Sequence, residues 1–292
     1  MGCVEVLYSR SRLGPIYLRC CIDGRGYVSV ARVLRRRGGG ERVLGRARLC
    51  RAIPFLGDYC RVCAHPLPPG CRCRAHREEW EVLDKTLAVG MYYTKDVIEE
   101  LTDRGMRIGN GLTSLILELK SRRLAAPLLG IAMATVLHER LFDIGVGDVD
   151  VVTYVPKHPS ELKTDADTGE RYNQAELLAE EVARIIGTPV KPLVIKTRPL
   201  SLSRLDIEER YRRSRSVYRI NEKLINEAKG LRVLLVDDVR TSGATANAIA
   251  EKLKDAGASR VYLLVAGRAT FRHQFIEFVE YRYGLRSRGP KR

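Results

Sequence analysis

The chain has 292 residues, 45% of them hydrophobic, which is enough for one large domain of about 150 to 200 residues and a smaller module. Its 51 Lys and Arg against 35 Asp and Glu give a formal net charge of +16, which favours an anionic partner such as nucleic acid, a nucleotide or pyrophosphate. The longest apolar run, Leu124–Leu137, is shorter than the roughly 20 residues of a membrane span. Residues 1–20 lack the apolar segment of a signal peptide. We therefore expect a cytoplasmic protein without a membrane partner.

The positive charge is concentrated near the N-terminus. Residues 1–80 contain sixteen Arg, no Lys and six acidic residues. This bias fits either a nucleic-acid-binding surface or the base composition of the genome, and both interpretations stay open. The segment RRRGGG (Arg35–Gly40) is typical of a flexible basic turn. We treat residues 1–50 as a basic N-terminal extension of unknown fold and as a candidate contact for nucleic acid.

The cysteines are grouped, since all eight lie between Cys3 and Cys73. The segment CRVCAHPLPPGCRC combines a CxxC pair and a CxC pair around a turn rich in Pro and Gly. A two-residue gap lets two thiolates face one Zn²⁺ at about 2.3 Å, and a second pair completes a closed tetrahedron, which is typical of structural zinc. We predict a zinc-knuckle module over residues 51–80. Its predicted ligands are Cys60, Cys63, Cys71 and Cys73.

Alternatives to this ligand set stay open. Cys50, His65 or His76 could replace one of the four cysteines. A disulfide pair, or thiols without a ligand, would account for the same cysteines without a metal. Cys20 and Cys21 either belong to another site or pack as small hydrophobic residues.

From residue 86 onward, strand and helix patterns alternate. Apolar residues at three- and four-residue steps in Leu112–Leu141 predict one or two helices broken near Pro127. The later elements are the strand Asp148–Pro156, the helix Asn173–Gly187, the short strand Pro189–Lys196, the strand Gly230–Asp238, the helix Thr241–Ala258 and the strand Ser259–Ala269. This order predicts an α/β fold with a doubly wound parallel sheet and flanking helices on both faces. Ligands of such sheets bind at the carboxyl ends of the strands.

One segment at this edge, VLLVDDVRTSGAT (Val233–Thr245), joins a buried strand to two acids and a loop of small residues. The loop precedes a helix, whose free N–H groups and positive dipole end bind phosphate. Gly243 allows a close approach of the backbone. Further donors are the hydroxyls of Thr241, Ser242 and Thr245. Because the carboxylates of Asp237 and Asp238 suit ribose hydroxyls, the segment predicts a site for a ribose 5-phosphate.

This segment resembles the 5-phosphoribosyl 1-pyrophosphate (PRPP) binding motif of type I phosphoribosyltransferases. The further segments LELKSRRLAAPLLG, YVPKHP, RYNQAELLA and LSRLDIEER precede it in that order, which narrows the resemblance to the ComF-type branch over roughly residues 55–268. Members of this branch carry an N-terminal zinc module and a C-terminal phosphoribosyltransferase domain. The resemblance implies such a domain, with a type I phosphoribosyltransferase-like sheet, at residues 86–284, followed by a basic tail at residues 285–292.

The resemblance also implies the reaction. PRPP would bind with Mg²⁺, and its ribose 5-phosphate would be transferred to a nucleobase-like acceptor with release of pyrophosphate. The implied catalytic residues are Asp237 and Asp238. The implied PRPP-binding residues are Asp237, Asp238, Val239, Arg240, Thr241, Ser242, Gly243, Ala244, Thr245, Lys157, His158 and Arg171, of which Lys157 and His158 match the pyrophosphate loop. The implied flexible loop over the site contributes Arg204 and Arg210.

The sequence departs from the family pattern at several positions. Glu170 and Arg171 stand where the family has Arg-Gly, and Arg240 stands where an apolar residue is commoner. These departures keep a second hypothesis open, in which the chain senses PRPP without turnover or works in association with nucleic acid. No motif in the sequence indicates which acceptor is used. A homodimer, which is common in this fold, stays open.

Overall fold

The computed structural model describes residues 2–36, 39–76, 78–106, 109–200 and 205–283. The predicted basic tail at residues 285–292, and part of the predicted turn RRRGGG, lie outside these ranges. The helices and strands within them, in chain order, are β1 (Cys3–Ser11), β2 (Gly14–Ile22), β3 (Tyr27–Arg35), β4 (Glu41–Arg51), β5 (Lys85–Tyr92), α1 (Lys95–Asp103), α2 (Gly111–Leu119), α3 (Ala126–His138), β6 (Val151–Tyr154), β7 (Lys163–Thr164), β8 (Arg171–Tyr172), α4 (Gln174–Ile186), β9 (Val194–Lys196), α5 (Ile207–Val217), β10 (Tyr218–Ile220), β11 (Arg232–Arg240), α6 (Ala244–Asp255), β12 (Arg260–Ala269) and α7 (Arg272–Tyr283).

The first four strands form an antiparallel sheet in the order β1-β2-β3-β4. Alternate residues of β2, including Leu18, Cys20 and Ile22, are buried on one face. Cys20 therefore packs as a small hydrophobic residue, whereas Cys21 forms a disulfide with Cys3 on the neighbouring strand. Most of the predicted extension of unknown fold, residues 1–50, therefore belongs to a four-stranded antiparallel sheet.

Residues 58–76, which we call the knuckle, lie between the two sheets in sequence. The N–H of Cys60 donates to the carbonyl of His65, and the N–H of Ala64 donates to the carbonyl of Cys60. These bonds close a tight turn around the CxxC pair. A 3-10 turn, Glu78–Trp80, follows the knuckle and leads into β5.

The central sheet has the order β5-β12-β11-β6, and every pairing in it is parallel. Its middle strands are buried on both faces, as Val233–Val236 of β11 and Val261–Val265 of β12 show. Helices α2, α3 and α4 pack against one face, and α6 packs against the other. The predicted α/β class, with a parallel sheet and flanking helices, is confirmed.

Helix α3 lies between the central sheet and the N-terminal sheet, since it contacts β1 and β2 as well as β5 and β12. This position explains why the apolar run Leu124–Leu137 has no polar face: residues Leu129–Leu137 are buried all round. Every helix in the described part of the chain falls short of the length and apolar character that a bilayer span requires.

Two predicted element boundaries shift. The break in Leu112–Leu141 lies between the end of α2 at Leu119 and the start of α3 at Ala126. Pro127 stands in the first turn of α3, where its missing N–H costs no hydrogen bond, so it starts this helix rather than breaking it. The strand predicted over Pro189–Lys196 is shorter in the structure, where only its last three residues form β9.

Candidate functional site

Asp237 and Asp238 lie in the last part of β11, which continues to Arg240 before the chain turns. The Asp238 N–H donates to Asp237 Oδ1 at 2.9 Å, and the Val239 N–H donates to Asp238 Oδ1 at 2.8 Å. Burial and the neighbouring Asp238 charge raise the pKa of Asp237 well above its usual range, although Lys157 partly opposes them. A nearby cation or hydrogen-bond donor would therefore stabilise the ionised form of Asp237.

These acids line a cleft of about 550 Å³ at the carboxyl edge of the central sheet, within the range of small-molecule sites. Predicted site residues in its wall are Lys157, Asp237, Asp238 and Thr245. Other residues in its wall are Val155, Pro156, Ser160, Glu161, Leu162, Lys163, Lys196, Leu200 and Tyr218. The structure thus brings together acids and a lysine that lie 80 residues apart in sequence, Asp237 and Lys157.

The loop Thr241–Thr245, which we call the phosphate loop after the ligand predicted for it, connects β11 to α6. Gly243 has φ +82°, a left-handed conformation that favours glycine, and Ala244 begins the helix. The Ser242 hydroxyl accepts from the Ala244 N–H at 3.4 Å. A cavity of about 80 Å³ lies against this loop and is also lined by Asp237, Val239 and Arg210. Free N–H groups at the start of α6 make the cavity suited to an anion.

Arg240, which is predicted to bind PRPP, contributes to the wall of the cavity at the phosphate loop. Its side chain is buried beneath the phosphate loop, where Nη2 donates to Glu81 Oε2 at 2.7 Å and Nη1 donates to the Thr86 hydroxyl. A guanidinium held by these two partners supports the loop from below. A buried ion pair thus occupies the position where the resemblance leads us to expect an apolar residue.

Two further predicted residues lie against the loop that follows β6, outside the wall of the cleft. His158 begins a short turn, where its Nδ1 accepts from the Ser160 N–H at 3.3 Å and its own N–H donates to Glu161 Oε2 at 3.1 Å. The exposed Arg171 donates to the carbonyl of Pro159. Both side chains therefore brace the loop that presents Lys157.

The predicted flexible loop is described in part. Arg204 lies outside the described residues. Arg210, on α5, donates through Nε to the carbonyl of Leu205 at 2.9 Å and lines the cavity at the phosphate loop. The Ser214 and Thr245 hydroxyls lie 3.5 Å apart, so α5 contacts the start of α6 directly.

Sequence reasoning missed several residues of the cleft. Lys196 pairs with Glu161 at 2.6 Å and lies over the ring of Tyr218, 5.7 Å from its centroid. Burial and the nearby Asp237 raise the pKa of Tyr218. Asn173 caps α4 by accepting from the Ala175 N–H and donates to the carbonyl of Val155 at 3.0 Å in the cleft wall. The capping pattern before α4 was a readable signal for Asn173, whereas Lys196 and Tyr218 carried none.

The cysteine cluster differs from the predicted ligand set at one position. One potential ligand atom from each of four residues lies within 4.8 Å of the others, and these residues are Cys60, Cys63, Cys73 and His76. Cys71 is exposed and lies outside this cluster. His76, one of the alternatives, takes the fourth position of the cluster instead of Cys71.

The cluster fits a tetrahedral zinc. The Cys63 and Cys73 sulfurs are 3.6 Å apart, and Cys60 Sγ lies 3.8 Å from His76 Nδ1. Bonds of about 2.3 Å to sulfur and about 2.0 Å to nitrogen give tetrahedral edges of roughly 3.5 to 3.8 Å. His65 is engaged elsewhere, since its Nδ1 lies 2.8 Å from the carbonyl of Pro66 and its Nε2 accepts from the Phe271 N–H.

No protein-family model matches the chain. Amidophosphoribosyltransferase of Saccharomyces cerevisiae is 31% identical over 140 residues, which are 48% of this chain and 24% of that enzyme. In part of its length, the chain resembles a phosphoribosyltransferase. It spans about a quarter of this curated relative, so the relative's whole activity is not carried over.

Two solved structures align with about half of the chain. The allosteric regulatory enzyme of purine biosynthesis aligns with a TM-score of 0.30 and 22% identity, over 48% of this chain and 25% of that chain. The purine phosphoribosyltransferase from Pyrococcus horikoshii Ot3 aligns with a TM-score of 0.28 and 16% identity, over 50% of this chain and 90% of that chain. Scores this low carry no argument about function.

Proposed function

We propose that this chain binds PRPP together with Mg²⁺ and transfers its ribose 5-phosphate to a nucleobase-like acceptor, releasing pyrophosphate. One observation carries the proposal: the acid pair and Lys157 line a cleft at the carboxyl edge of a parallel sheet, and the cavity at the phosphate loop shares Asp237 and Thr245 with that cleft. The partial similarity to an amidophosphoribosyltransferase supports the same class. Assignment to the ComF-type branch belongs to this proposal and rests on the order of the sequence segments.

Each part of PRPP has a chemically suited partner. The 5-phosphate fits the phosphate loop, where backbone N–H groups and hydroxyls converge at the start of α6. The ribose hydroxyls would donate to the carboxylates of Asp237 and Asp238. Lys157 and Lys163, which line the other side of the cleft, would offset the charge of the pyrophosphate.

The magnesium would arrive with PRPP as part of the substrate. Carboxylate oxygens are the ligands that Mg²⁺ takes from proteins, so the acid pair fits this ion beside the sugar. When bound, Mg²⁺ neutralises charge on the departing pyrophosphate. The raised pKa of Asp237 is consistent with this function, because burial and the charge of Asp238 both disfavour its ionised form and a bound cation would offset that cost.

The reaction asks the protein for positioning rather than covalent chemistry. The bond from C1′ to the pyrophosphate oxygen breaks, a nitrogen of the acceptor forms the new bond to C1′, and the acceptor releases a proton. The anomeric centre carries positive charge in between, which the carboxylate pair stabilises electrostatically. Helix α5, which brings Arg210 to the cavity at the phosphate loop, stands where closure would exclude water.

The zinc site belongs to the proposal as a structural element. Cys60, Cys63, Cys73 and His76 offer four protein ligands, which leave no open position for a substrate. Zinc would therefore tie the two halves of the knuckle together rather than take part in transfer.

A second function, PRPP sensing without turnover, is favoured by one observation. Glu170, at a position where the resemblance calls for an arginine, forms an ion pair with Arg123. The charge that the resemblance leads us to expect at this position is thereby reversed, which would weaken the binding of pyrophosphate. Under this alternative, the exposed arginines of β4 would contact nucleic acid.

A pyrophosphate-release assay separates the two functions. Purified protein is incubated with PRPP, Mg²⁺ and each of a panel of free nucleobases, with Asp237→Asn/Asp238→Asn as the matched inactive control. Release with one base, abolished in the control, is the expected result and identifies the acceptor. Binding of PRPP without release for any base would replace transfer by sensing.

A further inference from the structure

Arg268 of β12 connects the knuckle to the central sheet. Its side chain is fully buried. Its Nε donates to the carbonyl of Cys63 at 2.8 Å, and its Nη2 donates to the carbonyl of Ala75 at 3.2 Å. The Cys63 sulfur lies 3.7 Å from the same Nη2. One guanidinium therefore holds both halves of the predicted zinc site, one half before Pro68 and one after it.

The same guanidinium reaches the phosphate loop with its remaining nitrogen. Nη1 donates to the carbonyl of Arg240 at 2.9 Å and to the carbonyl of Thr241 at 2.7 Å. These are the last residue of β11 and the first residue of the loop. Because an arginine fork is planar and rigid, the positions of the knuckle carbonyls fix where the loop carbonyls can lie.

A second connection runs beside the first. The turn Glu78–Trp80 follows the knuckle, and Glu81 directly after it forms the buried ion pair with Arg240 beneath the loop. Trp80 stacks on Tyr211 of α5, with ring centroids 5.1 Å apart and planes 3° from parallel. Helix α5 also carries Arg210 into the cavity at the phosphate loop. The segment that follows the knuckle thus contacts Arg240 and helix α5, both of which contribute to the wall of the anion cavity.

Charge makes this arrangement depend on the metal. Within the described part of the chain, none of the hydrogen bonds of Arg268 goes to a carboxylate. A buried guanidinium requires compensation for its lost hydration. Zinc held by three thiolates and a neutral imidazole carries net negative charge, and this centre would lie beside the guanidinium through Cys63. The metal site would then fix the positions of the carbonyls that accept from Arg268 and would also supply its counter-charge.

We propose that Arg268 is a positioning residue that couples the metal site to the phosphate loop, so that metal loading sets the affinity for the phosphate of PRPP. The inference rests on the proposed function for its ligand and on the cysteine cluster for its metal. It assigns the knuckle a role in the binding site that its separate sequence motif does not suggest.

The test uses the full chain and matched pairs of variants. Arg268→Lys keeps the charge but offers one ammonium, which cannot reach the knuckle and the loop together. Arg260→Lys is its control, because Arg260 lies on the same strand with an exposed side chain paired to Asp84. Metal is removed by Cys73→Ser/His76→Ala, and Cys71→Ser is the control for the exposed neighbouring thiol.

Three quantities are measured for each variant: the zinc content, the Kd for PRPP with Mg²⁺, and the hydrogen exchange of the amides at residues 241–245. We expect Arg268→Lys and the metal-free variant to raise Kd at least about tenfold, which is about 1.4 kcal/mol. Exchange in the loop should accelerate in both, while exchange in Val261–Val265 of β12 stays at the wild-type rate. Both controls should match the wild type.

Wild-type affinity and wild-type loop exchange in Arg268→Lys would overturn the coupling. Acceleration that is equal in the loop and in the core of β12 would also overturn it, because it would mean general loosening of the fold. Absence of PRPP binding in the wild type would instead refute the proposed function. In that case the loop exchange, which needs no ligand, still decides for or against the coupling.

Discussion

Gly243 is the position where backbone strain and packing in the phosphate loop can be measured together. Its φ of +82° lies in the left-handed region, which costs a residue with a Cβ roughly 1–2 kcal/mol. A Cβ at this position would also lie 2.7 Å from Arg240 Nη2 and 2.8 Å from Arg240 Cζ. The Arg240 guanidinium has little freedom to move, because it is paired with Glu81 and its side chain is 0% exposed. The loop must therefore shift in Gly243→Ala.

The magnitude follows from these two contributions. Overpacking against a fixed neighbour adds about 1–3 kcal/mol to the strain. If the loop relieves that contact by moving away from its binding conformation, the same free energy is lost from binding, and Kd for PRPP rises about 5- to 150-fold. The free energy of unfolding of Gly243→Ala falls as well. The loss is the backbone strain plus any part of the contact with Arg240 that the loop does not relieve.

Gly187 provides the matched control. It ends α4 with a similar φ of +72°, and no atom lies within 4 Å of a Cβ built there. Gly187→Ala should lower the Tm by a few degrees through strain alone and leave PRPP affinity unchanged. Calorimetric titration with PRPP and thermal unfolding of both variants make the comparison. Wild-type affinity in Gly243→Ala would refute the assignment of this loop to the phosphate.

Three further predictions concern groups around the cleft and the knuckle. Glu81→Gln leaves the buried guanidinium of Arg240 without its counter-charge and should lower the free energy of unfolding, measured in urea, by about 3–5 kcal/mol. Glu78→Gln, which removes an exposed ion pair, should lower it by less than about 1 kcal/mol. Equal losses in the two variants would contradict the buried ion pair. His76→Ala should lower the zinc bound per chain by elemental analysis while Cys71→Ser keeps it, and the opposite pattern would restore the original ligand set. The raised pKa of Asp237 means that the folded state holds a proton more tightly than the unfolded state, so the wild type loses stability as pH rises from about 4 towards that pKa. Asp237→Asn should therefore become more stable relative to the wild type across this pH window. A stability difference that does not change with pH would argue against the raised pKa.

The parts of the fold that could be predicted are those whose signal is local. Apolar runs bounded by turns predicted β11 and β12, and the helix Asn173–Gly187 was readable from a capping side chain at one end and glycine at the other. The acid pair and the loop that follows it are adjacent in sequence, so their common position at the sheet edge follows from the strand-to-helix connection alone.

The N-terminal sheet was missed although its signal was present. In β2 the buried Leu18, Cys20 and Ile22 alternate with the less buried Arg19 and Cys21, the period of a strand with one buried face. Arginines at the exposed positions masked this pattern, because they suggested a basic extension rather than the polar face of a sheet. The buried residues of this face pack against α3, which no local pattern indicates.

The contacts beneath the phosphate loop could not be predicted, because they join distant segments. Arg240 and Glu81 are 159 residues apart, and Arg268 and Cys63 are 205 apart. An arginine in a strand reads as a surface residue until the fold supplies a buried partner. For the same reason, the exchange of Cys71 for His76 depends on how the chain folds back after Cys73 rather than on spacing.

The central claim is that the cleft at the carboxyl edge binds PRPP through the acid pair and the phosphate loop. Isothermal titration of the full chain with PRPP and Mg²⁺, beside Asp237→Asn/Asp238→Asn with its fold checked by circular dichroism, tests it directly. Saturable binding to the wild type that falls at least about tenfold in the folded double variant is the predicted result. No binding to the wild type, or equal binding to both proteins, would contradict the claim.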